Sequence, residues 1–138
     1  MAVLARASHA EISALLDAIP PLPDRVVLRG PQSGLVMLRG RAGGGGSAFN
    51  LGEMTVTRCT IRVPGGEVGH AYVAGRDAAQ AELAARLDAA LQDPARHDAI
   101  EAHVIAPLEH AQNLRRAADA ERAAATRVQF FTMATMRS

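Results

Sequence analysis

Four consecutive glycines between an arginine and a strand-like run are the first feature of this sequence that could do chemistry. The segment GRAGGGGS covers residues 40–47, with Gly43, Gly44, Gly45 and Gly46 at its centre. A P-loop has the pattern G-x-x-x-x-G-K-[ST], and its lysine supplies charge to the outer phosphates of a nucleotide. Here Gly46 occupies the lysine position, and the sequence contains no lysine. Because a strand-like run rather than a helix follows, neither a P-loop nor a dinucleotide-binding turn is predicted.

Once nucleotide-binding loops are excluded, two interpretations of the glycine-rich segment remain. Successive backbone N–H groups of a glycine turn can form an anion-binding nest, and Arg39, Arg41 and Arg58 could add charge-assisted hydrogen bonds. The same glycines could instead form a flexible hairpin loop, since glycine loses the most conformational entropy on ordering. The residue types leave both interpretations open, and Arg76 joins the candidates for a ligand or interface site.

Arginine supplies all 15 basic residues, and its planar fork matches phosphate and carboxylate oxygens two at a time. Strand alternation predicts three pairs of arginines that each share one face of a strand. The pairs are Arg25 with Arg29, Arg39 with Arg41, and Arg58 with Arg62. An arginine-lined sheet face of this kind would suit a polyanion or an acidic partner subunit, and an ordinary solvated sheet face is the alternative.

Catalytic patterns are sparse in this chain. The five histidines lack a metal-ligand spacing such as H-E-x-x-H. Cys59 lies in the middle of a strand-like run, which favours a buried and inert thiol over a nucleophile. Glu53, Glu67 and Asp77 have no partner in the sequence pattern. We therefore predict no catalytic residue, no metal site and no cofactor in this chain.

Composition predicts a single domain over residues 1–138, since 138 residues suffice for one hydrophobic core. The net charge of +1 does not indicate nucleic acid as a partner, and no apolar run has transmembrane length. One cysteine and the absence of a secretory signal pattern predict a soluble cytoplasmic protein. Aromatic residues make up only 3%, so the core is short of large side chains. Stabilisation by a partner and simple genomic bias both account for that composition.

Four segments read as β-strands because Val and Ile alternate with polar residues between Gly and Pro. They are RVVLRG (25–30), LVMLRGR (35–41), EMTVTRCTIRV (53–63) and EVGHAYVAG (67–75). The short links PQSG and PGG indicate antiparallel hairpins. The sequence therefore predicts a four-stranded antiparallel meander.

Helices are predicted on both sides of these strands. SHAEISALLDAIP begins with a capping box, in which Ser8 caps and Glu11 reaches back. After the strands, Asp77 is the expected N-cap of a helix with Gln80 at the box position. The apolar face of that helix carries Leu83, Leu87 and Leu91.

A further helical stretch starts at Pro94, a position that proline tolerates, and Pro107 is expected to interrupt it. Helical propensity continues to about Ala125. RVQFFTM (127–133) is predicted to be an additional C-terminal strand. The fold class is α+β, with the four-stranded sheet packed against an N-terminal helix and C-terminal helices.

Three long segments together resemble the PhnG family, a small subunit of the bacterial carbon–phosphorus lyase core complex. The segments are SGLVMLRGRAGGGGSAFNLGEMTVTRCTIRV, GHAYVAGRDAAQAELAARLDAAL and HVIAPLEHAQNLRRAADAERAAATRVQFFTM. Within them the resemblance is carried by the glycine loop, by Thr57-Arg58, by Gly75-Arg76-Asp77 and by Ala106-Pro107-Leu108. It covers roughly residues 9 to 133, and the N-terminal helix is its weakest part.

The resemblance implies a place in phosphonate use beside PhnH, PhnI, PhnJ and PhnL, in a homo- or hetero-oligomer. It implies that the assembly attaches an alkylphosphonate to C1 of the ribose of ATP and releases adenine. ATP and methylphosphonate would be substrates of the complex. It associates the nucleosidase chemistry with PhnI and the radical cysteines with PhnJ, so it transfers no catalytic residue to this chain.

Two functions of other classes compete with an assembly subunit. One is a stand-alone polyanion- or nucleotide-binding module, and the other is an adaptor for an acidic protein. Within the subunit interpretation, the glycine loop could hold a triphosphate-bearing intermediate or make a close backbone contact between subunits. We favour the contact, because an interaction subunit needs no phosphate of its own.

Overall fold

The computed structural model describes residues 1–41 and 45–128. Short helices come first, then three strands, then longer helices. The elements are α1 (Ala2–Arg6), α2 (His9–Ser13), a 3-10 turn (Leu16–Ala18), β1 (Val26–Gly40), β2 (Phe49–Arg62), β3 (Val68–Ala74), α3 (Ala78–Ala90), α4 (Pro94–Ile100), a π-helical turn (Glu101–Ile105) and α5 (Ala106–Ala125). The α+β class is confirmed.

The sheet has three antiparallel strands in the order β1–β2–β3, so the prediction of four strands is wrong. The first two predicted strands and the link PQSG form one strand of 15 residues. Pro31 lies where the β1–β2 register shifts between Arg29 and Gln32, which places it at a bulge. Proline is tolerated at a bulge or on an edge strand because no ladder hydrogen bond is lost there. PQSG therefore bends β1 without reversing it.

The capping box at the start of the N-terminal helix is confirmed. The Ser8 side chain accepts from the Glu11 backbone N–H at 3.2 Å, and the Glu11 carboxylate accepts from the Ser8 N–H at 2.7 Å. The helix itself is shorter than its sequence pattern suggests, since α2 ends at Ser13 and a 3-10 turn follows.

Helix α3 begins at its predicted cap and covers the sheet. The Asp77 side chain accepts from the Gln80 backbone N–H at 2.9 Å. The Gln80 side chain does not close a capping box, because its amide donates to the carbonyl oxygens of Ala5 and Ala7. Leu83 and Leu87 are buried as predicted. Gln80 thus ties the N-terminal segment to α3.

Helix α3 packs so closely on β3 that one sheet position must be glycine. A Cβ atom added at Gly69 would lie 1.9 Å from the Ala85 carbonyl oxygen and 2.6 Å from the Ala89 nitrogen. The buried surface of α3 is rich in alanine, which permits this short approach. In the described part of the chain no aromatic side chain enters the core, as the composition suggested.

The chain stays helical from Pro94 to Ala125, but its α-helical hydrogen bonding is interrupted just before Pro107, close to the predicted position. A π-helical turn ends at Ile105, and α5 continues from Ala106 with Pro107 in its first turn. A proline within a helix removes one hydrogen bond to the residue four positions earlier, and the π-helical turn lies where that bond is lost, with the Ala106 N–H bonded to the Glu101 carbonyl oxygen. The predicted C-terminal strand falls mostly outside the described residues, which end at Val128.

Candidate interaction surface

The β1–β2 hairpin extends well beyond the part of the sheet that the rest of the chain covers. Strand β3 pairs with β2 only from Val56 to Arg62. Residues 35–40 of β1 and 49–55 of β2 pair with each other alone, and residues 41–48 connect them. We call these two paired segments the arm. Gly45 and Gly46, the described glycines of the four, therefore lie at the tip of a hairpin.

Alternation defines two faces that continue from the covered sheet into the arm. Thr57, Cys59 and Ile61 are buried beneath α3, and we call their face the helix side. Arg58 and Arg62 are exposed on the other face, which we call the open side. Residues directly opposite in an antiparallel pair point to the same face, so the register assigns every arm residue to one side.

Large apolar side chains are exposed on both faces of the arm. Leu35 and Met37 continue the helix side, opposite Thr55 and Glu53. Leu38 continues the open side with Met54. Their exposed fractions run from 36% for Met54 to 63% for Leu35, and Phe49 and Leu51 are also exposed. A contiguous exposed apolar surface of this kind marks an interaction site more often than a solvated face.

The base of the arm is held by a buried hydroxyl. Thr57 is fully buried, and its hydroxyl donates to the Gly75 carbonyl oxygen at 2.7 Å. The Ser33 hydroxyl lies 2.9 Å from the Thr57 hydroxyl oxygen. These contacts join β1, β2 and the β3–α3 turn at one point. The arm therefore starts from a fixed position, although its own side chains are exposed.

Two glycines of the hairpin have no structural requirement within this chain. Gly34 is paired with Val56, and Gly52 is paired with Leu38. A Cβ added at either glycine would meet nothing within 4 Å, and neither has a positive φ. Glycine weakens a strand and often marks the close approach of another backbone. Both positions face the open side.

The predicted anion candidates do not converge on one site. Arg39 lies seven residues along β1 from Gln32, which pairs with Arg58. At about 3.3 Å per residue, Arg39 is on the order of 23 Å from Arg58 along the strand. Arg41 follows β1 at the hairpin tip, whereas Arg76 follows Gly75 at the base of the arm, where the Gly75 N–H donates to the Thr55 carbonyl oxygen. Gly45 and Gly46 lie in the loop, and Gly43 and Gly44 are outside the described residues.

The arginine-lined face is smaller than predicted. Arg29 lies opposite Thr60, so it shares the open side with Arg58 and Arg62. The side chain of Arg25 forms a salt bridge with Glu82 of α3, on the helix side. An extra residue between Val27 and Arg29 reverses the alternation of β1. The prediction that Arg25 and Arg29 share a face is therefore wrong.

A small cavity lies beside the arginines of the open side. Its volume is about 170 Å³, and Gln32, Arg58 and Tyr72 contribute to its lining. The Arg58 guanidinium donates to the Gln32 side-chain oxygen at 3.3 Å. Sites for small-molecule ligands occupy about 300–1,000 Å³. This cavity can take a small anion but not a nucleotide.

Groups that could act in covalent or metal chemistry are inert or scattered. Cys59 is buried, and burial raises the pKa of its thiol, so the thiolate is disfavoured. Within residues 1–41 and 45–128, no group of three His, Cys, Asp or Glu side chains could hold a metal ion. In that same part of the chain, no helix is long and apolar enough to cross a membrane.

The fold and this surface define a small α+β protein that places its exposed apolar side chains on a projecting hairpin. The family described as phosphonate metabolism protein PhnG matches residues 1–136. A relative from Rhizobium meliloti (strain 1021) is 50% identical over 136 residues, which are 96% of this chain and 85% of the relative. It is named α-D-ribose 1-methylphosphonate 5-triphosphate synthase subunit PhnG. The chain belongs to the PhnG family, as its sequence suggested.

Sequence reasoning found the strands of the arm but missed its exposure. The run Leu35 to Leu38 is apolar at every position, which is typical of a strand buried on both faces. In the part of the chain that the structure describes, Leu35, Met37 and Leu38 are all exposed, so neither face is covered as a buried strand would be. The strand lengths of 15 and 14 residues, which leave the arm uncovered, appear only in the folded chain, because the sequence predicted shorter strands there.

Proposed function

We propose that this chain is an assembly subunit of a synthase that joins an alkylphosphonate to C1 of the ribose of ATP and releases adenine. The observation that carries the proposal is the 50% identity, over 96% of the chain, to a protein named as a subunit of such a synthase. ATP and methylphosphonate are substrates of the whole complex. This chain carries no cofactor of its own and acts in the cytoplasm.

The assembly role is supported by what the described residues offer to chemistry and to partners. The buried Cys59 thiol is disfavoured as a nucleophile, and the cavity at Arg58 is too small for a nucleotide. The arm exposes a large apolar surface, which is costly in a protein that works alone. The isolated chain is therefore expected to be inactive.

The partners we propose are the other subunits of the carbon–phosphorus lyase complex, PhnH, PhnI, PhnJ and PhnL. The catalytic groups would come from those subunits. In this arrangement the glycine loop at the arm tip makes a backbone contact with a partner. Replacing Gly45 with alanine is then expected to impair assembly before it affects product formation within an assembled complex.

Native mass spectrometry tests the assembly role directly. The chain is co-expressed with PhnH, PhnI and PhnJ from the same gene cluster, and the purified sample is weighed intact. A complex of defined stoichiometry that contains this chain is the expected result. A chain that stays alone while the other subunits associate with one another would contradict the proposal.

A stand-alone polyanion-binding module is the second candidate, and the arginine face favours it. Arg29, Arg58 and Arg62 share the open side, and Tyr72 lies opposite Arg58. This function predicts that inorganic triphosphate raises the melting temperature of the isolated chain. Substituting Arg58 with glutamine would then remove the shift. An unchanged melting temperature at millimolar triphosphate leaves the assembly role as the better account.

A further inference from the structure

We infer that the arm is enclosed on both faces by an apolar cleft of a different subunit of the same synthase, with an acidic group at the rim of that cleft. This inference rests on the proposed function and deepens it, because it names the contacting element and the shape and charge of its partner. Three observations support it. The apolar side chains of the arm are exposed, Gly34 and Gly52 leave open space on the open side, and Arg39 and Arg41 make the tip basic.

The two-faced pattern sets the shape of the partner. Leu35 and Met37 project from the helix side, and Leu38 and Met54 project from the open side. A flat surface packed against the arm would cover one of these pairs and leave the other in water. Only a cleft that reaches around the hairpin removes both from water, and the burial of apolar area is the main favourable term in association.

Glycine positions support close approach by another chain on the open side. Gly34 and Gly52 have ordinary backbone angles and open space where a side chain would lie. Within residues 1–41 and 45–128, no contact depends on the absence of a side chain at either position. A neighbouring main chain that packs against the open side would use it, since glycine lets two backbones approach closely.

Charge at the tip sets the polarity of the cleft rim. Arg39 ends the paired part of β1, and Arg41 follows it. Across the described residues, no carboxylate lies within salt-bridge distance of either guanidinium. Glu53 is the one acidic residue of the arm, so the tip as a whole is basic. A carboxylate on the partner would give a bidentate pair with an arginine there.

A second copy of this chain fits the arm less well than a different subunit. Two arms packed against each other about a two-fold axis would each bury one face and expose the other. The partner is therefore a different polypeptide.

Hydrogen exchange on the assembled complex tests the inference. The full chain is co-expressed with the other synthase subunits, and exchange is followed by mass spectrometry in peptides that cover both strands of the arm. At least tenfold slower exchange is expected in the complex than in the free chain, on β1 and β2 alike. A complex in which these peptides exchange as fast as in the free chain overturns the inference and leaves the proposed function standing.

Two single variants separate a cleft from a flat contact. Met37→Ser changes the helix side of the arm, and Leu38→Ser changes the open side. Each is expected to raise the dissociation constant at least about tenfold, because buried apolar anchors dominate interface affinity. Leu114→Ser on α5 is the matched control, with an exposed fraction of 59%. The control is expected to stay within about twofold of the unmodified chain.

Each remaining outcome decides the question. A loss of affinity in only one of the two arm variants indicates a flat contact and overturns the cleft. Slow exchange of the arm in the chain alone, with a doubled mass by light scattering, assigns the arm to a second copy. Failure of the unmodified chain to form any complex overturns the proposed function, and this inference with it. Circular dichroism of each variant checks that the fold is retained.

Discussion

The two halves of the β1–β2 hairpin have similar residues and opposite surroundings. In the covered half, Cys59 and Ile61 of β2 are almost completely removed from water. In the arm, Leu51 of the same strand is 60% exposed. The covered half has β3 beside it and α3 above it, while the arm has only its own partner strand. Residue type therefore does not decide which half is buried.

Element length explains the difference. Helix α3 has 13 residues and β2 has 14. At about 1.5 Å per residue the helix spans roughly 20 Å, whereas at about 3.3 Å per residue the strand spans roughly 46 Å. A helix of this length cannot cover the whole strand. The uncovered length is what the chain presents to a partner.

The largest expected effect comes from adding one methyl group in the covered half. In Gly69→Ala the new Cβ would overlap the Ala85 carbonyl oxygen of α3. Overpacking of this severity is expected to cost more than about 3 kcal/mol or to prevent folding. Urea denaturation measures the loss. Gly52→Ala in the arm is the matched control, and it is expected to change stability by less than about 0.5 kcal/mol.

Leucine truncation gives the next largest contrast. Leu87 of α3 is fully buried, so Leu87→Ala is expected to lower the free energy of unfolding by about 3 kcal/mol. Leu51→Ala in the arm is expected to cost less than about 0.5 kcal/mol. Thermal and urea unfolding of the isolated chain measure both variants. Equal losses of unfolding free energy in the two variants would mean that Leu51 is already buried in the free chain. That result would contradict the difference between the covered half and the arm.

The amide of Gln80 holds the N-terminal segment against α3, next to the covered half of the hairpin. Its side chain is buried, and its Nε2 donates to carbonyl oxygens in the N-terminal segment. Gln80→Ala is expected to lower the free energy of unfolding by about 2 kcal/mol, since it leaves a buried carbonyl without its partner. Hydrogen exchange should rise first in α1. Unchanged protection of α1 would show that the buried Leu4 and the Gln112 amide, which donates to the Val3 carbonyl oxygen at 2.9 Å, hold this segment without Gln80.

The smallest expected effect is a pH dependence at the N-terminal cap. The Ser8 backbone N–H, then Arg115 and the Ser8 hydroxyl, lower the pKa of Glu11 from 4.5 to about 2. The stabilisation is therefore complete above pH 4.5 and is lost as the pH falls from there towards 2. Because the carboxylate is partly exposed, about 1 kcal/mol is expected after solvent screening.

Acid titration of stability measures this contribution. Glu11→Gln should be less stable than the unmodified chain at pH 7 and nearly equal to it at pH 2. A difference that persists at pH 2 would assign the loss to packing of the side chain. The exposure of the arm should not change over this pH range, since Ser8 and Glu11 lie in the N-terminal segment and not in the β1–β2 hairpin.

Local chemistry was sufficient for the features that depend on neighbours in sequence. Ser8 and Asp77 cap the helices that their patterns predicted, because a cap needs only the backbone N–H groups a few residues away. The glycine-rich segment leads into a strand and not into a helix, as its sequence predicted. The ordered segments of the chain also sufficed to indicate the PhnG family.

Other features were decided only when distant segments packed together. Residues 31–34 were predicted to form a turn, yet they continue β1, because pairing with β2 over its whole length outweighs the local preference of Pro31 and Gly34. Arg25 and Arg29 were predicted to share a face, but a bulge between Val27 and Arg29, which the sequence does not mark, reverses the alternation. Arg25 therefore pairs with Glu82 on the helix side, while Arg29 lies on the open side.

The exposure of the arm is the clearest case of a property that belongs to the tertiary structure. The sequence by itself determined strands with apolar side chains, capped helices and the family, since all of these follow from short-range patterns. Which of those side chains meet α3 and which meet water depended on where a short helix lies along a long hairpin. That position is set by contacts between segments far apart in the chain, such as Gly69 against Ala85 and Ala89.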